Sequence, residues 1–245
     1  MTFRKGIRRL INASGYDLRR LSPRSNPSFQ LLKAFERFQV DLVFDVGANQ
    51  GQFSLDLRAV GYKGKIVSFE PLSEAYAELK KNAAADRNWL VHRRAAIGDR
   101  DGQTEFNIAG NSVSSSVLPM LESHSSAAQN SAYVGTETVL MDRLDAVAPE
   151  YLQGVENPFL KIDTQGYEWQ VLDGAEKTLA QIRGLYCELS LVPLYEGQRL
   201  WLDLIRRLEQ EGFVLWALQR GFTDPRDGRT LQMNAVFFRE APVGG

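Results

Sequence analysis

DLVFDVGANQG, residues 41–51, joins a short β-branched and aromatic run to an abrupt glycine turn. A run this brief and this apolar reads as a strand buried on both faces of a parallel sheet. Beyond the turn, Phe53, Leu55, Leu57 and Val60 belong to a helix that stops at Gly61. Upstream, SFQLLKAFERF (28–38) spaces Phe29, Leu32 and Phe35 for a helix. Downstream the alternation repeats as KIVSFE (65–70), a helix over 73–85, and WLVHRRAAIG (89–98) as the next strand. After an interruption it resumes with PFLKID (158–163), a helix over 167–182, GLYCELSL (184–191), a helix over 198–211, GFVLWALQR (212–220) and LQMNAVFFRE (231–240). Strand followed by helix implies an α/β sheet with right-handed crossovers, here of seven main strands. TDPRDGR joins the last two without a helix, so they are expected to pair as an antiparallel hairpin at one end.

The interruption, residues 99–157, reads as short strands at 104–110, 112–118 and 134–141 around a polar loop with eight serines between Ser112 and Ser131. Loops at the rim of such a sheet are where ligands are held. Trp201 and Trp216 read as core, Trp201 on a helical apolar stripe and Trp216 within the sixth main strand.

The chain has 245 residues, 44% apolar and 24% charged, proportions that exclude global disorder and allow one sizeable core. Cys187 is the single cysteine, so there is no internal disulfide and no cysteine-based zinc site. A reducing, cytoplasmic location is expected. No run approaches a membrane span. The net charge of −1 conceals an asymmetry, because residues 1–24 carry seven basic residues against Asp17 alone. This basic start could touch an anionic membrane surface peripherally, or simply pack as a solvated helix and arm. Nucleic acid is disfavoured as a partner, since the remaining body is acidic and has no basic stripe interleaved with aromatics.

Ligands of open α/β sheets bind beyond the carboxyl ends of the strands. Four acidic residues fall there: Asp45, Glu70, Asp163 and Glu188. In DVGANQG, Gly47 and Gly51 allow close backbone approach, but Asn49 and Gln52 stand where a dinucleotide fingerprint needs its second and third glycines. Glu70, nineteen residues after Gly51, has the spacing of a carboxylate that takes ribose hydroxyls. A ribose carboxylate without a pyrophosphate cradle suits a nucleoside carrying no phosphate, and S-adenosylmethionine is the candidate cofactor. Asp45 would suit its ammonium group.

DVGANQGQF, FEP, AAIGDRDG, SVSSS and KIDTQGYEW together resemble the FkbM-type methyltransferases, from about Val40 to Glu240. The resemblance implies a Rossmann-like class I fold, a seven-stranded mostly parallel sheet with an antiparallel last strand and helices on both faces. Residues 1–38 would form a basic helical extension and 39–245 the methyltransferase domain. It implies methylation of hydroxyls on sugars, glycans, glycolipids or related metabolites. The implied cofactor pocket comprises Asp45, Gly47, Asn49, Gly51, Phe53, Glu70, Pro71, Ala96, Ser115 and Asp163. The family commonly has D-x-E-G-x-E in the fourth-strand motif. Here Gln165 replaces the first glutamate, while Asp163, Gly166 and Glu168 match.

Candidate chemical participants are Asp163, Glu188 and His124, with His92 as an alternative base that reads as a strand residue. A divalent cation on Asp163 and Glu188 is permitted but not expected. Tyr195, Glu196 and Arg199 are expected to overhang the crevice on the acceptor side. Two other readings remain: a nicotinamide-dependent dehydrogenase sharing the sheet, and a catalytically silent adaptor that docks through its basic N-terminus.

Overall fold

The computed structural model describes residues 11–16 and 22–240. Most of the basic segment singled out above, and with it the expected membrane contact, lies outside the described residues. Helix α1, Pro27–Phe38, starts where the Asn26 side chain accepts the Phe29 N–H at 2.7 Å and Pro27 supplies a helical φ. It is followed by β1 (Leu42–Val46), α2 (Gln52–Val60), β2 (Lys65–Phe69), α3 (Ser73–Ala83), β3 (Trp89–Val91), β4 (Ala96–Gly98) and β5 (Gly102–Ala109). The short α4 (Glu122–Ser125), β6 (Tyr133–Arg143) and α5 (Leu144–Val147) lead to β7 (Pro158–Ile162), α6 (Glu168–Asp173) and α7 (Glu176–Leu179). The chain closes with β8 (Gly184–Ser190), α8 (Trp201–Gln210), β9 (Val214–Arg220) and β10 (Gln232–Phe238).

Seven strands form the main sheet in the order β3-β2-β1-β7-β8-β10-β9. The reversal of direction between β2 and β7 places β1 and β7 at the topological switch point, where a crevice opens. The last strand, β10, runs antiparallel to both neighbours and inserts between β8 and β9, so that β9 is the edge. This is the Rossmann-like class I arrangement that the sequence implied.

Period-two alternation decides which side each strand residue serves. Leu42, Phe44 and Val46 of β1 pack with Leu160, Leu172, Leu185, Leu204 and Phe237 on the α5 to α8 side. Val43 packs with Phe35, Leu57, Leu79, Phe159 and Phe238 on the side of α1, α2 and α3. Helices therefore cover both faces. Fully burying a side chain of this kind stabilises by about 1.5–3 kcal/mol, and these two layers hold the strand tips rigidly.

Four expectations need correction. Residues 89–98 are not one strand: β3 ends the main sheet, and β4 enters a separate three-stranded sheet, β4-β6-β5. Arg93 and Arg94 between them reach Asp142 and Glu137 of β6, which turns the chain from one sheet to the other. SVSSSVL forms a loop with a single bridge, Asn107 to Ser116, because its hydroxyls satisfy backbone groups that a strand would pair. The helix expected over 167–182 is broken at Gly174, where a Cβ would lie 1.8 Å from the Gly98 carbonyl oxygen. Trp216 is 39% exposed, because β9 is an edge strand.

Candidate active site

At the tip of β1 the chain turns on three residues with positive φ: Gly47 at 74°, Asn49 at 48° and Gly51 at 90°. Gly47 is obligatory by two criteria, its φ and the 1.9 Å between a built Cβ and the Asp163 carbonyl oxygen. The turns after β1 and β7 therefore touch through backbone. Asn49 donates its N–H to Glu70 Oε2 at 2.8 Å, and Leu72 donates its N–H to Oε1 at 2.9 Å. Each carboxylate oxygen keeps further acceptor capacity. Burial pushes the Glu70 carboxyl up to about 7, against the pull of those two bonds.

Two adjoining cavities open here. The first is lined by Phe69, Glu70, Pro71, Ala96, Ile97 and Phe106, among others, and holds two carboxylates, Glu70 and Asp163. The second, which is larger, includes Phe53, Ser114, His124, Glu188, Phe222 and Gln232. Gly47, Asn49, Val113, Asp163 and Gln165 line both and form the seam between them.

The sequence-derived candidates divide accordingly. Gly47, Asn49, Glu70, Pro71, Ala96, Ser115 and Asp163 line the first cavity, and Phe53, His124 and Glu188 line the second. Asp45 and Gly51 line neither. Asp45 is fully buried, accepts from Ser54 Oγ at 2.8 Å and Ser68 Oγ at 3.3 Å, and pairs with Lys161 Nζ at 3.1 Å. Its cation is thus internal, and no ammonium group of a ligand is needed to balance it. Gly51 packs against Trp89 and Leu79, 2.7–2.9 Å from a built Cβ, and admits helix α2 to that contact. His92 lines neither cavity; its Nδ1 is 2.6 Å from the Tyr151 hydroxyl. Tyr195 does not overhang the crevice but is buried under Gly166, and Arg199 lies over the Trp169 ring.

Lys161 was missed, although a lysine inside the apolar run PFLKI is itself a signal, since a buried charge needs partners. Its Nζ donates to the carbonyls of Val46 at 3.2 Å and Gly47 at 2.7 Å, and lies 3.9 Å from Asp163. Burial works against the ammonium, but Asp45 and Asp163 outweigh it and raise its pKa. Lys161 thereby ties the β1 turn to β7.

Around the seam, Gln165 adopts φ 54° and donates from Nε2 to Asp163 Oδ1 at 2.9 Å and Glu188 Oε2 at 2.8 Å. Its Oε1 accepts from the Tyr195 hydroxyl at 2.9 Å, and its carbonyl accepts from Ser116 Oγ at 2.7 Å. Gln232 Nε2 adds a second bond to Glu188 Oε2 at 2.6 Å. Burial, then the charges of Asp163 and Glu168, raises the Glu188 pKa well above the usual carboxylate range. Glu168 accepts from the N–H groups of Thr164 and Gly166 and closes this turn from below. His124 sits between the Tyr195 and Phe222 rings, 3.0 Å from Ser114 Oγ, and burial lowers its pKa to about 4. It is neutral at neutral pH. Among the described residues no group of three or more His, Cys, Asp or Glu side chains is placed to hold a metal ion.

A switch-point crevice with a carboxylate after β2 and no glycine-rich pyrophosphate turn fits an S-adenosylmethionine-dependent methyltransferase. Comparison with known proteins agrees: the profile of the methyltransferase FkbM domain matches residues 45–215. The chain belongs to the FkbM methyltransferase family. It is 30% identical over 184 residues to the 2-O-methyltransferase NoeI of Sinorhizobium fredii, an alignment covering 69% of this chain and 72% of that protein. Among solved structures, an rRNA methylase from Streptococcus thermophilus is 10% identical with a TM-score of 0.47, covering 89% of this chain and 98% of that one. Sp1610 of Streptococcus pneumoniae, solved with S-adenosyl-L-methionine, is 13% identical with a TM-score of 0.46, covering 87% and 75%.

Proposed function

We propose that this protein transfers a methyl group from S-adenosylmethionine to a hydroxyl of a sugar, glycan or glycolipid. The observation that carries this reading is the seam: one wall, made of Gly47, Asn49, Val113, Asp163 and Gln165, serves both a smaller slot that contains Glu70 and a larger chamber that contains His124 and Glu188. Phe69, Ile97 and Phe106 suit the faces of an adenine, and Glu70 has acceptor capacity for ribose hydroxyls. The donor supplies an electrophilic methyl on a sulfonium. Asp163 and Gln165, which face both spaces, stand where methyl and acceptor would meet. In the chamber, Asn111, Ser114, Glu188 and Gln232 offer hydrogen bonds, and Phe222 with His124 offers flat surfaces for a sugar ring. The 2-O- specificity in the name of the Sinorhizobium relative supports oxygen as the nucleophile.

The protein's part is alignment, holding the acceptor oxygen about 3–3.5 Å from the methyl carbon. A sugar hydroxyl is a weak nucleophile, so a proton acceptor nearby helps. Glu188, Asp163 and neutral His124 are the groups able to take that proton. A cytoplasmic location fits Cys187 being a free thiol.

Calorimetry with S-adenosylhomocysteine, followed by transfer of labelled methyl to a panel of neutral glycans and glycolipids, tests the proposal. Binding and labelled product are expected. Asp163→Asn should depress turnover far more than cofactor affinity, and equal losses would make Asp163 a cofactor anchor. Binding of NAD without binding of S-adenosylhomocysteine would overturn the reading in favour of a dehydrogenase.

A further inference from the structure

The Asp163 and Glu188 carboxylates invite a divalent ion, yet the space between them is filled. Gln165 Nε2 lies there, 2.9 Å from one carboxylate and 2.8 Å from the other. The orientation of this amide is chemically forced, because the reversed one would aim Oε1 at two carboxylates and Nε2 at the Tyr195 hydroxyl. The backbone holds it in place through the carbonyl bond to Ser116 Oγ and a left-handed φ of 54°. Gln232 supplies a second amide donor to the same oxygen of Glu188.

We propose that the Gln165 carboxamide takes the place of a divalent cation between Asp163 and Glu188, acting as a positioning residue that keeps these two groups together as a metal-free pair. The inference rests on the proposed function only in assigning the pair to the reaction centre. Its physical content is separate. Two N–H bonds from one amide satisfy one oxygen on each carboxylate, as an ion would, but without desolvating an ion or demanding octahedral geometry.

The geometry also specifies the conversion. Oxygens that neighbour each other around an octahedral ion with bonds of about 2.1 Å are about 3.0 Å apart. With Gln165→Glu and no other movement, a carboxylate oxygen would stand where Nε2 now is, 2.9 and 2.8 Å from the carboxylate oxygens of Asp163 and Glu188, close to that spacing. Tyr195 would still donate to the other oxygen of that side chain. Gln165→Glu therefore turns three side chains into a candidate oxygen-ligand set whose added charge a divalent cation can neutralise.

The test is manganese uptake by the full chain, read from the loss of the free Mn²⁺ electron paramagnetic resonance signal, with S-adenosylhomocysteine calorimetry on the same samples. Gln165→Glu is expected to bind one Mn²⁺ at least about tenfold more tightly than the wild type, and Gln165→Glu with Glu188→Gln to lose that gain. Gln165→Ala, which removes the donor without adding a charge, should show weaker uptake that still exceeds the wild type; it carries the test if circular dichroism shows Gln165→Glu unfolded. Wild-type uptake that vanishes in Glu188→Gln would overturn the proposal, as would a folded Gln165→Glu protein that takes up no more Mn²⁺ than the wild type. Absence of S-adenosylhomocysteine binding sinks the proposed function instead and leaves the manganese result standing.

Discussion

Lys161→Met is the most informative single perturbation of the framework. Methionine is near the volume of the lysine stem, so the space is kept while the ammonium, with its contact over the Phe53 ring, is removed. The structure shows what is then stranded: the Asp45 carboxylate with no exposed surface, and the carbonyl of Gly47; that of Val46 keeps the Asp163 N–H. Removing one partner of a buried ion pair costs about 3–5 kcal/mol, since the remaining charge is left uncompensated. At roughly 2–4 °C per kcal/mol for a chain of this size, the thermal midpoint should fall by about 6–20 °C. Adding Asp45→Asn to the same variant should recover about half of the loss, because an asparagine keeps bonds to Ser54 and Ser68 without a charge to solvate. Urea denaturation followed by circular dichroism measures both. A loss below about 1 kcal/mol in Lys161→Met, or strict additivity in the pair, would refute the assignment of Lys161 as the internal counter-ion.

Glu70→Ala should weaken S-adenosylhomocysteine binding by about 1.5–3 kcal/mol in calorimetry, and unchanged affinity would remove Glu70 from the ribose. Gly174→Ala drives a methyl group toward the Gly98 carbonyl, so it should destabilise by about 1–3 kcal/mol or more in the same urea titration. For His124 the folded pKa of about 4 lies below its ordinary 6.5, so the unfolded chain binds the extra proton first as pH falls. Its contribution is fully present above about pH 6.5 and is lost progressively toward pH 4. The stability difference between wild type and His124→Gln should therefore change across that window, and a constant difference would show that His124 titrates normally.

How much of this could be read from residues alone follows from what each signal measures. Apolar periodicity reports burial, so the strand–helix alternation and the strand-tip positions of Glu70, Asp163 and Glu188 were legible. The same signal is blind to a chain leaving one sheet for another, which is how 89–98 came to look continuous. Only the Arg93–Arg94 pair marked the crossing, and its carboxylate partners lie 43 and 49 residues away. The break at Gly174 depends on the backbone of Gly98, a contact that no local window contains. In the serine loop, Ser115 Oγ takes the Ala109 N–H and Ser116 Oγ reaches the Gln165 carbonyl. Such side-chain bonds fix a ligand-lining loop without leaving any period. Asp45 was placed correctly at a strand tip, yet its purpose turned on Lys161, on the neighbouring strand of the sheet but distant in sequence.

The larger chamber takes His124 and Ala128 from the α4 region and Phe222 from the loop preceding β10, none of which borders the smaller slot. Arg226 clasps these two segments together, reaching Ser126 from the 221–231 loop. The wall that would inspect an incoming hydroxyl is thus detachable from the scaffold that would grip the donor. If the chamber receives the acceptor, redrawing these two segments would alter the choice of recipient while the strand tips that line the slot stay as they are.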